Sequence, residues 1–239
     1  MPRRTPSSSN LISLADEDAV RDAVWASILG LWKTVNTLTR LRPSRGKAYR
    51  VSIFGSARIR PRTKAYAETR RMAQTLAAMG CDIITGGGPG LMQAANEGAK
   101  AARRGRSYGI LVDLPFEQQS NAFVTESFAH ETFFTRLHQF VMTSDAFVVT
   151  PGGIGTVLET LMIWQLLQVS HLKDTPLVLV GGMWPGLVDW ARTAMLSTDP
   201  PLASRTDLNI PVCVEDADAA VAVVRAHHRT WKAHRGAPR

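Results

Sequence analysis

Cysteine is scarce in this chain. Only Cys81 and Cys213 occur among 239 residues, each beside an apolar run, which excludes a disulfide framework and denies a metal any cysteine cluster. Both read as buried free thiols. Long apolar runs are also missing: no stretch of roughly eighteen such residues is present, so no segment is expected to span a membrane. The opening MPRRTPSSSN lacks the apolar core of a secretory signal and is followed by acidic residues from Asp16, and a cytoplasmic protein is expected. Repeats of solenoid period and long low-complexity segments are absent as well. What remains is an ordinary packed composition, 45% hydrophobic, enough for a sizeable core.

Acidic charge is outnumbered at the two ends. Of the net charge of +8, residues 1–50 hold nine Lys and Arg against four Asp and Glu, and residues 225–239 hold five against none. The excess therefore belongs to the ends, where basic residues are usually solvated. No recognition helix, zinc finger or RNA-binding aromatic motif accompanies the charge, so no specific nucleic-acid partner is expected. His227, His228 and His234 stand among Arg225, Arg229, Lys232 and Arg235 and read as part of a solvated tail rather than a metal site.

Four regions follow from the patterning. Residues 1–14 are expected to be disordered, and 15–49 to form a helical extension and linker, because Val20, Val24, Ile28, Leu31 and Val35 recur at helical spacing from Asp16 to about Thr39. Residues 50–228 are expected to form the main domain, and 229–239 a basic tail. In the main domain six Val- and Ile-rich runs (VSIF, CDIIT, YGILVDL, AFVVT, PLVLVG, IPVCVED) each lead into a helical segment, for example from about Thr63 to Met79. That alternation predicts an α/β fold: a Rossmann-like, doubly wound parallel sheet with helices on both faces. Ligands of such sheets bind beyond the carboxyl ends of the strands.

Three of those strand ends are glycine-rich: Gly55-Ser56, Gly86-Gly87-Gly88-Pro89-Gly90, and Pro151-Gly152-Gly153-Ile154-Gly155-Thr156. A glycine turn that opens a helix presents free N–H groups and a positive dipole end, a setting for phosphate. The dinucleotide pattern fails, because Leu91 or Gln93 occupies the third glycine place, and neither loop carries the Gly-Lys-Ser/Thr of a Walker turn. A mononucleotide or sugar phosphate fits better. Glu159 follows the third turn, and Thr156-x-x-Glu159 has the spacing of a capping box, which alone would account for both residues. Beside a ribose, however, that carboxylate could activate water and stabilise an oxocarbenium-like transition state. Arg136, among Phe133, Phe134 and Phe140, is its candidate partner; a phosphate clamp or a salt bridge is the other reading.

GGGPGLMQAANEGA and PGGIGTVLE, separated by a helix bearing Arg136, resemble the LOG ("lonely guy") family of nucleoside 5′-monophosphate phosphoribohydrolases, often mislabelled lysine decarboxylases. The resemblance runs from about Val51 to the last helix. LPFEQQSNAF and the N-terminal helical extension resemble features of the longer bacterial members. It implies hydrolysis of the N-glycosidic bond of AMP or an N6-modified, cytokinin-type AMP, without metal or organic cofactor, by a homodimer or higher oligomer with its sites at or near the subunit interface. Position by position, it implies Arg136 and Glu159 as the catalytic pair. It implies Gly152, Gly153, Gly155 and Thr156 as the phosphate turn; Gly87, Gly88, Gly90, Leu91 and Met92 as the lining of the nucleotide; and Ser56 as a neighbour of the ligand. Glu117, Gln118 and Asn121 either contact base or ribose or cap a loop. One departure is Leu137, where many members have Lys directly after the arginine; His138 follows and either compensates or is an ordinary helix-surface histidine. Two readings from other classes stay open, a non-catalytic nucleotide carrier on the same fold and lysine decarboxylation. The second would need a Schiff-base lysine, and Lys33, Lys47, Lys64, Lys100, Lys173 and Lys232 lie away from the glycine turns. Trp164 with Leu161, Met162, Ile163 and Leu167 reads as core or dimer interface.

Overall fold

The computed structural model describes residues 16–38, 48–112 and 120–236. Two compact units, Met1–Arg45 and Gly46–Arg239, are distinguished. In the first, α1 (Glu17–Leu38) occupies the expected helical stretch; the backbone N–H of Ala19 donates to Asp16 Oδ1 at 3.0 Å, a side-chain cap on the first turn. Residues 1–15 lie outside the described residues.

In the second unit seven strands form one sheet: β1 (Tyr49–Phe54), β2 (Cys81–Thr85), β3 (Ser107–Val112), β4 (Glu126–His130), β5 (Ala146–Val149), β6 (Leu177–Val180) and β7 (Pro211–Val214), in the order β4-β3-β2-β1-β5-β6-β7. Every pairing is parallel, and β1 is central, with Val51 opposite Ile83 of β2 and Ala146 of β5. The helices are α2 (Lys64–Ala78), α3 (Leu91–Ala102), α4 (Phe133–Thr143), α5 (Ile154–Gln168), α6 (Trp184–Leu196) and α7 (Ala217–Gly236). Side chains alternate along each strand, so the sheet feeds two apolar layers. Val51, Ile53, Ile83 and Val148 meet Met72, Leu76, Ala95, Ala99, Ala220 and Val224 of α2, α3 and α7. Phe54, Phe147, Val149 and Leu179 meet Phe140, Ile163, Trp164 and Trp184 of α4, α5 and α6. The expected doubly wound parallel sheet is therefore present.

Among the described residues no helix is long and apolar enough to cross a membrane. Three sequence readings need correction. A seventh strand, β4, was not expected: Glu-Ser-Phe-Ala-His has neither the β-branched run nor the alternation of the others, and it forms because an edge strand, exposed at most positions, needs neither. Residues 229–236 are not a separate tail, for α7 continues through them and buries Trp231, whose Nε1 donates to Asp145 Oδ1 at 3.2 Å, and His228. Cys81 is buried as expected, but Cys213 is exposed.

The strand order reverses at β1: the chain runs outward through β2, β3 and β4, then returns to β5 on the other side. Beyond the carboxyl ends of β1 and β5 lies the crevice where such sheets take their ligands.

Candidate active site

Three strand-end turns meet in that crevice and are bonded to one another. The Ser56 N–H donates to the Pro151 carbonyl at 3.0 Å, and the Leu91 N–H to the Ser56 carbonyl at 2.9 Å. Gly90 stands at φ +69°, and a Cβ there would strike the Ser56 and Ala57 backbone, so the second turn can press on the first only as glycine. Thr150 closes the junction, its Oγ1 donating to the Phe54 carbonyl at 2.8 Å.

The second turn rests on a buried polar network that sequence reasoning missed. Gly87 N–H donates to Thr85 Oγ1 at 2.9 Å, and Thr85 Oγ1 in turn to Asn96 Oδ1 at 2.7 Å. Asn96 Nδ2 donates to Ser107 Oγ at 2.8 Å. Asn121 Nδ2 lies 3.0 Å from the Gly87 carbonyl, 2.9 Å from that of Gly88 and 3.0 Å from Asn96 Oδ1, while Asn121 Oδ1 accepts from the Phe123 N–H. The signal available was Asn96 itself, a poor helix former inside an alanine-rich helix. Of the two readings of Asn121, the loop-capping one describes its bonds: its amide is spent on shaping the turn. Glu117 and Gln118 lie outside the described residues. Leu91 is fully buried against Tyr66 and Ala94 and lines nothing with its side chain; Met92 stands under Gly86 and Gly88.

At the third turn the capping box is not formed. The helix begins at Ile154 with Gly153 as its N-cap and no side-chain cap bond, so Thr156 is already inside the first turn and Glu159 falls in the second, not the first as the sequence suggested. Glu159 faces inward with Thr156, Thr160 and Ile163, 8% exposed. Gly153 and Gly155 have open space where a Cβ would stand; both are exposed, and α5 starts there with unpaired N–H groups. The Gly152 N–H is turned instead to Met183 Sδ at 3.4 Å.

Glu159 meets Arg136. Arg136 Nη1 donates to Glu159 Oε1 at 3.0 Å, and its Nε donates to the Ile110 carbonyl at 2.9 Å. The guanidinium carbon lies 5.3 Å from the Phe140 ring centroid. Gly86 leaves the room: a Cβ there would collide with Arg136 Nη2 and Met92 Sδ. Burial raises the Glu159 carboxyl from 4.5 to about 7, against the Arg136 guanidinium, whose charge and hydrogen bond pull it down. The carboxyl thus changes charge near neutrality, in a nearly dry pair at the foot of a glycine turn.

The position after the arginine behaves differently from a ligand contact. Leu137 is buried, 7% exposed, among the core residues of α4. His138 Nε2 is buried without a hydrogen-bond partner, and burial, aided by His171 and His130, lowers its pKa, so the ring is neutral and does not supply a lysine's charge. Among the described side chains, Lys64, Lys100, Lys173 and Lys232 are all exposed, and no group of three or more His, Cys, Asp and Glu could hold a metal.

Comparison with known proteins gives the geometry a family. Part of the chain is 30% identical over 125 residues to the pyrimidine/purine nucleotide 5′-monophosphate nucleosidase of Escherichia coli K12, which is 48% of this chain but 28% of that protein. It is 26% identical over 148 residues to the cytokinin riboside 5′-monophosphate phosphoribohydrolase of Mycobacterium marinum, 61% of this chain and 78% of that one. Among solved structures, the molybdenum cofactor binding protein of Rippkaea orientalis (TM-score 0.58, 18% identity) and the molybdenum cofactor carrier protein of Chlamydomonas reinhardtii (TM-score 0.58, 19% identity) share the fold, each over 77% of this chain and 98% and 99% of theirs. The protein-family model described as "Possible lysine decarboxylase" matches residues 92–224, Arg136 and Glu159 included. That match takes in more than half of the chain, which therefore belongs to this family, the LOG phosphoribohydrolases of nucleoside monophosphates under their older label.

Proposed function

We propose that the protein hydrolyses the N-glycosidic bond of a purine nucleoside 5′-monophosphate, AMP or an N6-modified AMP, to the free base and ribose 5-phosphate. The observation that carries this reading is the Arg136–Glu159 pair: a carboxyl raised to about 7, bonded to a partly buried guanidinium and placed next to a turn that is open over Gly153 and Gly155. The names of the Escherichia coli and Mycobacterium marinum relatives support the substrate class.

In this reading the phosphate lies on the free N–H groups at the start of α5, where the helix dipole favours an anion, with Thr156 beside it. The ribose then stands over Glu159. As the bond between C1′ and the base nitrogen stretches, positive charge grows on the sugar, and the ionised carboxylate stabilises it. The same carboxylate takes a proton from the water whose oxygen bonds to C1′. The bonding electrons leave with the base, and the proton that the carboxylate took from water is balanced by the one the departing base takes up, so that C1′ keeps the hydroxyl and the base the hydrogen. Arg136, fixed by Ile110 and Glu159, orients the carboxylate and polarises the ribose or phosphate oxygens. Ser56 and the Gly87–Gly88 edge flank the nucleotide.

A homodimer completes the proposal. The outer face of α5 carries Ile154, Leu158 and Leu161, which are 87%, 52% and 45% exposed. A helix that is apolar on its outer as well as its inner face is one that expects a second layer, and Leu158 adjoins Glu159. The testing experiment is incubation with AMP and with adenosine, following free adenine: release from the monophosphate alone supports the reading, and release from neither contradicts it.

A further inference from the structure

The segment after β1 carries a charge that one phosphate does not use. Residues 55–67 read GSARIRPRTKAYA, with Arg58, Arg60, Arg62 and Lys64 and no acidic residue. The first acid, Glu68, lies 3.7 Å from Lys64. Arg58, Arg60 and Arg62 are exposed, and among the described residues no carboxylate lies within ion-pair distance of them.

This loop is not a loose strand of solvated charge. The Arg58 N–H donates to Ser56 Oγ at 3.1 Å, and Thr63 Oγ1 donates to the Arg60 carbonyl at 3.0 Å while accepting from the Tyr66 N–H as the cap of α2. Ile59 packs on Tyr66, Leu91 and Ala94. Arg62 holds a left-handed φ of +73°, uncommon for a side chain of this size. Cations at alternate positions repel one another, and among the described residues Lys64 has Glu68 beside it while the three arginines have no carboxylate to relieve them. Arginine rather than lysine at three of the four suits forked recognition of phosphate oxygens.

The loop leaves from the junction of the three turns. Ser56 is bonded to Pro151 of the third turn and to Leu91 after the second, and the Arg58 N–H is bonded to Ser56, so the arginine-bearing segment starts at the crevice. A nucleoside monophosphate spends its one phosphate on the amides at the start of α5. We propose that the arginine loop is a second phosphate subsite, and that the crevice also binds nucleoside 5′-di- and triphosphates, whose terminal phosphates lie on Arg58, Arg60 and Arg62 and which compete with the monophosphate. The proposal rests on the reading of the crevice as a nucleotide phosphate site.

Binding to the full chain is measured by calorimetry at 0.15 M salt with AMP, ADP and ATP, and separately with orthophosphate and inorganic tripolyphosphate. Affinity is expected to rise about 10-fold or more from AMP to ATP. The triple variant Arg58→Gln/Arg60→Gln/Arg62→Gln loses that gain while its AMP affinity changes less than about 3-fold. Arg225→Gln/Arg229→Gln, which removes exposed charge on α7, keeps it. Equal affinity for AMP and ATP in the unaltered protein overturns the proposal, as does a gain that survives in the triple variant or disappears equally in the α7 variant. AMP binding without a triphosphate preference sinks this inference and leaves the hydrolase reading standing. Absence of AMP binding sinks the crevice reading instead, and tripolyphosphate binding that depends on the three arginines would then sustain the subsite alone.

Discussion

Glu159 is held by an arginine instead of by a helix terminus, and this decides what its removal should do. A capping residue contributes about 1 kcal/mol to stability; here the cap is Gly153, and the carboxylate lies a turn further in. Glu159→Gln keeps an acceptor for Arg136 and should fold, while kcat falls by about 10³-fold or more and AMP affinity changes little. Proton linkage gives the residue a second signature. With its carboxyl raised from 4.5 to about 7 by burial, the folded protein holds a proton that the unfolded chain has released across that window. The stability contributed by the neutral carboxyl is therefore complete below pH 4.5 and is lost as the pH rises through 7. Urea titrations should show the unaltered protein losing up to ~3 kcal/mol relative to Glu159→Gln between pH 4.5 and pH 7.5. A difference flat with pH would contradict the raised value. Base catalysis requires the ionised form, so kcat should climb towards pH 7 and level above it. From sequence, the residue's importance was legible in its place after a glycine turn and Arg136 was its candidate partner; the direct 3.0 Å bond between them was one of several readings and only the fold selects it. Thr156 and Glu159 had cap spacing, and only the true helix start at Ile154 removes that reading.

Elements were legible where burial writes a pattern and illegible where it does not. The Val- and Ile-rich strands and the α2 boundaries, with Thr63 as N-cap and Met79 as C-cap, could be read directly, because a central parallel strand is covered on both faces. The β4 edge strand left no such mark. The end of α7 was hidden differently: Arg229, Lys232 and His234 lie on its exposed side, and their polarity masks His228 and Trp231 three residues apart on the other. Removing residues 229–239, or Trp231→Ala alone, should cost about 3–5 kcal/mol in a denaturant titration, where a solvated tail would cost nothing measurable. The Thr85–Asn96–Asn121 network makes a parallel case behind the second glycine turn. Asn96→Ala strands Thr85 and Ser107, and should lose about 1–3 kcal/mol of stability and weaken nucleotide binding; unchanged melting would show that water or a shifted Asn121 replaces it.

At the scale of the whole molecule, one topological fact assembles the site. The reversal of strand order at β1 brings together turns that are 30 to 100 residues apart in the chain, and no local pattern states which strands will be neighbours. The α/β alternation predicted the sheet, but the Ser56–Pro151 and Ser56–Leu91 bonds that lock the crevice depend on the order itself. The same scale governs assembly. The proposed homodimer predicts that Leu158→Arg, which places a charge on the exposed α5 stripe, is monomeric by light scattering where the unaltered protein is dimeric; an unaltered protein that is itself monomeric, or an oligomer that survives the substitution, would contradict it. The central claim is tested most directly by chromatographic assay of base release from AMP and N6-isopentenyl AMP, with their nucleosides and the Glu159→Gln variant in parallel. Free base from the monophosphates, none from the nucleosides and none with Glu159→Gln is the predicted result. Nucleotide binding without release from any of them would contradict the hydrolase and leave a nucleotide carrier on this fold.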